Sequence, residues 1–188
     1  MDKLRDIISQ SVNLPTEELD RIVSIVKVFK VKKGEFLIKE GRVANKIGRI
    51  TQGAVRAYYT DKNNEEHLLG LNFEGDMLVA YESFIYQTPA KISAVALEDT
   101  YGYYTTYDDY KALIRDYPKY EAYVREGVGE FMLQKVEYIK LLRSASAKER
   151  YETLLAQKPF IVNRVPLKYI ASYLGITKET MSRIRKVK

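Results

Sequence analysis

The chain has 188 residues, 46% hydrophobic and 30% charged, with 31 Lys and Arg against 25 Asp and Glu, a length for one large or two small domains. The lack of cysteine and a single histidine, His67, exclude a disulfide framework, thiolate zinc, a cysteine-ligated iron–sulfur cluster and any multi-histidine metal site. The opening MDKLRDIISQ lacks the apolar stretch of a secretion signal and no segment reaches the ~18 apolar residues of a membrane span, so a cytoplasmic protein without metal or membrane partner is expected.

Residues 15–26 predict a helix. Pro15 and Thr16 open it, Glu17 and Glu18 suit the positive end of its dipole, and Leu19, Ile22, Val23 and Val26 form one apolar stripe. From Val28 the hydrophobic period changes to two. VFKVKKGEFLIKEG turns at Gly34 and again at Gly41, and KIGRITQGAVRAYYTDKNNEEHLLGL turns at Gly53 and at residues 61–64. Alternation with turns at such short intervals predicts an antiparallel sandwich or barrel to about residue 106, with a short helix near residues 81–84. His67 lies in an alternating segment and is assigned a structural role.

The period returns to 3.6 at Asp108. DDYKALIRDY predicts a short helix stopped by Pro118, and a long helix follows over about residues 119–142. Along it Val124, Val128, Phe131, Lys135, Tyr138 and Leu142 recur at spacings of 4, 3, 4, 3 and 4, the rhythm of a coiled-coil seam. These six are the expected homodimer interface. A second apolar line, Met132, Val136 and Ile139, is expected to bury against the sheet. Gly127 and Gly129 each weaken such a helix by roughly 1 kcal/mol relative to alanine, which points to compensating close packing. Ser146-Ala147-Lys148-Glu149 reads as a capping box starting the next helix, with residues 143–145 as a hinge. The domain boundary falls there, between a β domain with its dimerisation helix (1–142) and a helical domain (143–188).

Charge divides at the same place. Residues 143–188 carry eleven Lys and Arg against three Glu, a net of +8, while residues 1–142 carry twenty against twenty-two, a net of −2. Basicity confined to one quarter of the length points to a polyanionic partner for that quarter. Leu167, Ile170 and Leu174 form a short helical stripe, Gly175 can take the positive φ that stops it, and Thr177 offers an N-cap hydroxyl to the next helix. Met181 and Ile184 give that second helix a buried face, and Ala171 is small where the two would cross. The pattern predicts a helix-turn-helix whose second helix, about residues 178–186, lies in the major groove of DNA. Lys178, Glu179, Ser182 and Arg183 are expected at base edges, since glutamate can accept from cytosine N4 and arginine can bridge guanine O6 and N7. Thr177 and Thr180 suit phosphate contacts, and Lys168, Arg185 and Lys186 suit electrostatic attachment.

Jelly roll, long helix and terminal helix-turn-helix together resemble the CRP/FNR (catabolite activator/fumarate–nitrate regulator) family of bacterial transcription regulators over nearly the whole chain. KKGEFLIKEG, the Gly53 turn, EGD at residues 74–76 and LGITKETMSRIRK carry the resemblance, the last most specifically. It implies an α+β protein with an antiparallel, cyclic-nucleotide-binding-like jelly roll, a dimerisation helix and a C-terminal DNA-binding unit. It further implies a homodimer on a palindromic duplex operator, RNA polymerase as another partner, an unknown small-molecule effector and no enzymatic activity. The effector pocket implied by the family's cyclic-nucleotide binders falls on Gly75, Asp76, Glu82, Ser83 and Lys91. There Tyr81 replaces the small residue that precedes the glutamate in those binders, and no arginine lies between Arg56 and Arg115. Lys91 could supply a charge but not a bidentate fork for the cyclic phosphate, so cyclic AMP is not the expected effector and no cofactor is assigned. The absence of cysteine excludes the family's iron–sulfur branch, and one histidine argues against its haem branch. The β-hairpin wing that many members carry beyond the recognition helix has no counterpart before Lys188. Two other readings stay open. One is a small-ligand-binding module whose C-terminal helices bind a protein partner; the other is a cupin-type enzyme, which a single histidine disfavours.

Overall fold

The computed structural model describes residues 5, 6, 9 and 15–186. Helix α1 (Thr16–Ile25) buries Leu19, Ile22 and Val23, the stripe that its sequence spaces along one face. Strands follow as β1 (Lys27–Val31), β2 (Phe36–Ile38), β3 (Lys46–Gln52), β4 (Val55–Thr60), β5 (Glu66–Asn72) and β6 (Met77–Leu78). Helix α2 (Tyr81–Tyr86) then leads to β7 (Ser93–Ala96) and β8 (Thr100–Thr106). The strands form two four-stranded antiparallel sheets, ordered β1-β8-β3-β6 and β2-β7-β4-β5. Apart from the β4–β5 hairpin, consecutive strands cross between the sheets, which is jelly-roll connectivity, and Ile38, Ile50, Val55 and Ala94 fill the space between the layers. His67 pairs with Asp61 at 3.0 Å and stacks on Tyr59 with ring centroids 5.0 Å apart.

Thr106 caps helix α3 (Tyr107–Asp116), its hydroxyl accepting from the Asp109 N–H at 3.3 Å. Pro118 then starts helix α4 (Pro118–Ser144), which runs 27 residues along the open side of the roll. Here the structure reverses the expected faces. Val124 is buried, Val128 and Phe131 pack on the cluster around Ile47 and Met77, Lys135 and Tyr138 border a cavity in the roll, and Leu142 approaches Gly175. All six residues assigned to a dimer interface therefore lie against their own chain. The line expected to face the sheet is the open one: Met132, Val136 and Ile139 are 53%, 45% and 52% exposed, and Leu133 beside them is 66% exposed. The physical reason is Gly127. A Cβ there would lie 2.8 Å from Arg49 Nη2 and 3.1 Å from Met77 Cε, so the glycine lets this side of α4 approach the roll most closely. Two seams of equal rhythm, offset by one residue, share the helix, and spacing alone does not rank them.

Ala145 leaves the helix in extended conformation, and Ser146 and Glu149 form the predicted capping box of α5 (Ala147–Gln157). Three further helices follow: α6 (Ile161–Arg164), α7 (Leu167–Tyr173) and α8 (Lys178–Lys186). They do not make a separate core. Tyr151, Leu154, Ile161, Ile170, Leu174 and Met181 join Tyr58, Leu68, Leu71, Phe73 and Leu97 of the roll in one apolar cluster. The expected boundary near residue 142 is thus a turn in the chain rather than a break in its packing. Among the described residues no helix is long and apolar enough to cross a membrane.

Candidate nucleic-acid interface and ligand cavity

Helices α7 and α8 are joined by a tight turn. Gly175 sits at φ 62° and its N–H donates to the Ser172 carbonyl at 3.1 Å, ending α7 in the left-handed conformation that glycine adopts without steric cost. Thr177 then caps α8, its hydroxyl accepting from the Thr180 N–H at 3.2 Å. Ile170, Leu174 and Met181 are fully buried between the helices, and Ala171 is 2% exposed at their crossing. Burying side chains of this size is worth about 1.5–3 kcal/mol each, which sets the angle between the helices.

That packing divides α8 lengthwise. Met181 and the half-buried Ile184 face inward, while Lys178, Glu179, Ser182, Arg183 and Arg185 are exposed. Thr177 is exposed and Thr180 half-buried, and Arg183 Nη2 donates to Thr180 Oγ1 at 3.2 Å. Its own backbone N–H holds the Glu179 carboxyl below its ordinary range, with the Thr177 hydroxyl and the Lys178 and Arg183 cations adding to the effect. Lys168 is exposed on α7, its ammonium 4.8 Å from the Tyr169 ring centroid. The side chain of Lys186 lies outside the described residues. Eight of the nine sequence-assigned contact residues are thus located, seven of them exposed and Thr180 half-buried.

The residues assigned to an effector pocket are not gathered into one. Lys91 and Glu82 pair with each other at 2.6 Å on the surface. The Ser83 hydroxyl accepts from the Ala44 N–H at 2.9 Å and donates to the Thr88 carbonyl at 2.5 Å. Gly75 shapes a turn at φ 84°, and the Asp76 carboxylate accepts from the Phe73 N–H at 2.8 Å. The Ser83 hydroxyl and the Asp76 carboxylate are thus committed within the chain, and Glu82 and Lys91 meet each other at the surface rather than in a cavity.

A different cavity, about 320 Å³, lies between the β2-β7-β4-β5 sheet, β6 and α4. Its wall is mostly apolar, with Ala57, Leu69, Leu78, Ile92, Phe131 and Ile139 among the contributors, and Asn72, Lys135 and Tyr138 supply the polar groups. Lys135 Nζ sits 4.9 Å from the Phe131 centroid, and a Cβ on Gly70 would come within 3.3 Å of it. Burial pushes its ammonium below the ordinary lysine value; Asp76 opposes that only partly, and the Lys158 ammonium adds to the depression. Sequence reasoning assigned Lys135 to a dimer seam. A lysine in an otherwise apolar stripe was the available signal that this face borders a cavity.

Polar contacts join the C-terminal helices to the roll. Arg164 Nη1 and Nη2 grip Glu74 at 2.9 and 2.7 Å, and Nη2 and Nε reach Glu98 Oε1 at 2.5 and 3.1 Å. The Arg164 hydrogen bonds, with the Gly53 N–H adding its own, bring the Glu74 carboxyl down to about 2. Lys158 pairs with Asp76 at 3.5 Å, and Arg56, paired with Glu66 at 2.5 Å, lies between the Tyr58 and Tyr169 rings. Tyr138 stacks on Tyr173 with centroids 4.5 Å apart, and its hydroxyl donates to the Tyr173 carbonyl. The partners that meet at the C-terminal helices, Arg164 with Glu74 and Glu98, Lys158 with Asp76 and Tyr138 with Tyr173, are 35 to 90 residues apart, so the sequence carries no sign of them.

The family model of the cyclic nucleotide-binding domain matches residues 28–117. An anaerobic regulatory protein of Haemophilus influenzae is 27% identical over 183 residues, covering 91% of this chain and 70% of that protein. The transcriptional activator protein Anr of Pseudomonas protegens is 24% identical over 185 residues, covering 92% of this chain and 75% of its own. Among solved structures, FixK2 from Bradyrhizobium japonicum superposes with a TM-score of 0.70 at 22% identity, covering 86% of this chain and 83% of that one.

Proposed function

We propose that the chain is a transcription regulator of the CRP/FNR family and that it reads duplex DNA through α8 as half of a symmetric dimer. The carrying observation is the division of α8. Its inner face is locked into the core by Met181, and its outer face offers Lys178, Glu179, Ser182 and Arg183 within a quarter of the chain whose net charge is +8. A major groove about 12 Å wide admits one helix, and helix-turn-helix units present the second helix to base edges in this way. Thr177, Thr180, Lys168, Arg185 and Lys186 then take phosphates, which position the helix without specifying sequence.

The dimer seam is the exposed line of α4. Gly129, Met132, Val136 and Ile139 recur at 3, 4 and 3, and Met132, Val136 and Ile139 with Leu133 beside them are four large apolar side chains in water that call for a cover. A second copy supplies the same line, so a two-fold axis beside α4 would set two α8 helices on one side of the assembly. RNA polymerase is the further partner through which such a dimer would act on transcription. The effector site is the 320 Å³ cavity. Among the described residues no arginine borders it: Arg49 donates to the Gly75 carbonyl at 2.9 Å and Arg56 is held by Glu66. Cyclic AMP is therefore not its ligand, because the cyclic phosphate would enter an apolar space without a bidentate clamp.

Selection of bound duplexes from a random pool tests the proposal. Enrichment of a two-fold symmetric motif, its half-sites one helical turn of about 10 base pairs or a multiple apart, is expected. Retention of no duplex at low salt would overturn it and favour a protein partner for α8.

A further inference from the structure

We infer that the cavity between the roll and α4 takes a small apolar monoanion, an aryl or alkyl carboxylate, with Lys135 as its counter-ion. The assignment rests on reading this cavity as the effector site of a DNA-binding regulator. Its volume, about 320 Å³, stands at the low end of the ~300–1,000 Å³ of small-molecule sites. Aliphatic and aromatic side chains form most of its wall, which suits a ring or short hydrocarbon and offers nothing to a sugar. The polar groups sit together at one end, where Lys135 Nζ and Asn72 Oδ1 both lie over Gly70, within 3.3 and 3.4 Å of where a Cβ would stand.

Charge selects the head group. Lys135 has no hydrogen bond or ion pair among the described residues; the Phe131 ring, Gly70 and the Asn72 amide oxygen are its neighbours. The Asp76 carboxylate acts on it without pairing, being engaged by the Phe73 N–H at 2.8 Å and Lys158 at 3.5 Å. A half-buried ammonium without a partner costs free energy that an entering carboxylate would recover as a charge-assisted hydrogen bond. Lys158, whose charge also reaches Lys135, is paired with Asp76, so Lys135 balances one negative charge and a dianionic phosphate would leave a charge in an apolar space.

The wall also shows how occupancy is sensed. Tyr138 and Ile139 are adjacent on α4 and both border the cavity. Ile139, 52% exposed, belongs to the outward apolar line, and Tyr138 is stacked on Tyr173 of α7 with its hydroxyl on that residue's carbonyl. A ligand touching both side chains would act on the dimer seam and on the helix packed against α8 together.

Calorimetry and thermal unfolding on the full chain test this, with benzoate, phenylacetate and octanoate as probes and benzamide as the uncharged counterpart of the first. At least one acid is expected to bind saturably and raise the unfolding temperature, with benzamide tenfold weaker or more than benzoate. Lys135→Met keeps the apolar stem and should bind the acids at least tenfold more weakly while keeping the far-ultraviolet spectrum of the wild type. No binding of any of the three acids at millimolar concentration would overturn the inference, as would equal binding of benzamide and benzoate by the wild type. Duplex binding is measured in parallel: a protein that binds duplex but none of the acids loses only this assignment. One that binds an acid but no duplex keeps the assignment of the cavity and loses the regulator reading.

Discussion

Replacing Arg164 with alanine should destabilise the whole chain rather than its C-terminal helices alone. The guanidinium makes four hydrogen bonds to Glu74 and Glu98, and the three side chains are 25%, 41% and 35% exposed. Fully exposed ion pairs are worth about 0.2–1 kcal/mol, and breaking a buried one costs about 3–5. This cluster lies between those limits, and the guanidinium carbon also sits 5.4 and 5.3 Å from the Phe73 and Phe160 centroids. Roughly 2 kcal/mol is expected, a fall in Tm of about 4–8 °C for a chain of this size. Urea unfolding followed by circular dichroism measures it. One cooperative transition should persist, since Leu71 and Phe73 of the roll share a cluster with Leu154 and Ile161. Arg164→Lys should recover only part of the loss, because an ammonium lacks the fork that holds Glu74 through two nitrogens. A loss below about 0.5 kcal/mol for Arg164→Ala would refute the reasoning, and so would a separate early transition of the C-terminal helices.

The same cluster makes stability fall in acid. Glu74 is held at about 2 against an ordinary 4.5, so its contribution is complete above 4.5 and is lost as pH falls from there toward 2. With solvent screening the loss should be about 1 kcal/mol, and Arg164→Ala should show a flatter profile over that range when both are titrated by thermal unfolding. Val136→Glu places a charge in the exposed line of α4 and should give folded monomers by sedimentation, with duplex affinity reduced at least tenfold. A Val136→Glu dimer as tight as the wild type would put the seam elsewhere.

Element type was legible wherever the hydrophobic period was long and clean. Leu19, Ile22 and Val23 gave α1, alternation with glycine turns gave the roll, and Ser146 with Glu149 marked the start of α5. The two C-terminal helices were legible because Gly175 and Thr177 each have one plain local use. What was illegible depended on facing. Phe131 and Met132 are neighbours on α4, each in an apolar line of the same rhythm, and only the approach permitted by Gly127 decides which meets the roll. The effector residues failed for a related reason: Glu82 and Lys91 fall where a family motif would place them, but in this chain they satisfy each other. Contacts across long separations, such as Arg164 with Glu74 ninety residues away, leave no periodic trace.

The central claim is that the outer face of α8 reads bases, and Arg183 tests it most directly. It is exposed one turn after Glu179, and an arginine bridging guanine O6 and N7 is worth about 1–3 kcal/mol of discrimination. Wild type and Arg183→Ala are titrated with the selected duplex and a scrambled one over several salt concentrations. Arg183→Ala should weaken binding to the selected duplex by that amount per half-site and leave the scrambled duplex nearly unchanged. Equal weakening on both duplexes, with a shallower salt slope, would make Arg183 a phosphate contact and contradict the account of α8 as the reading helix.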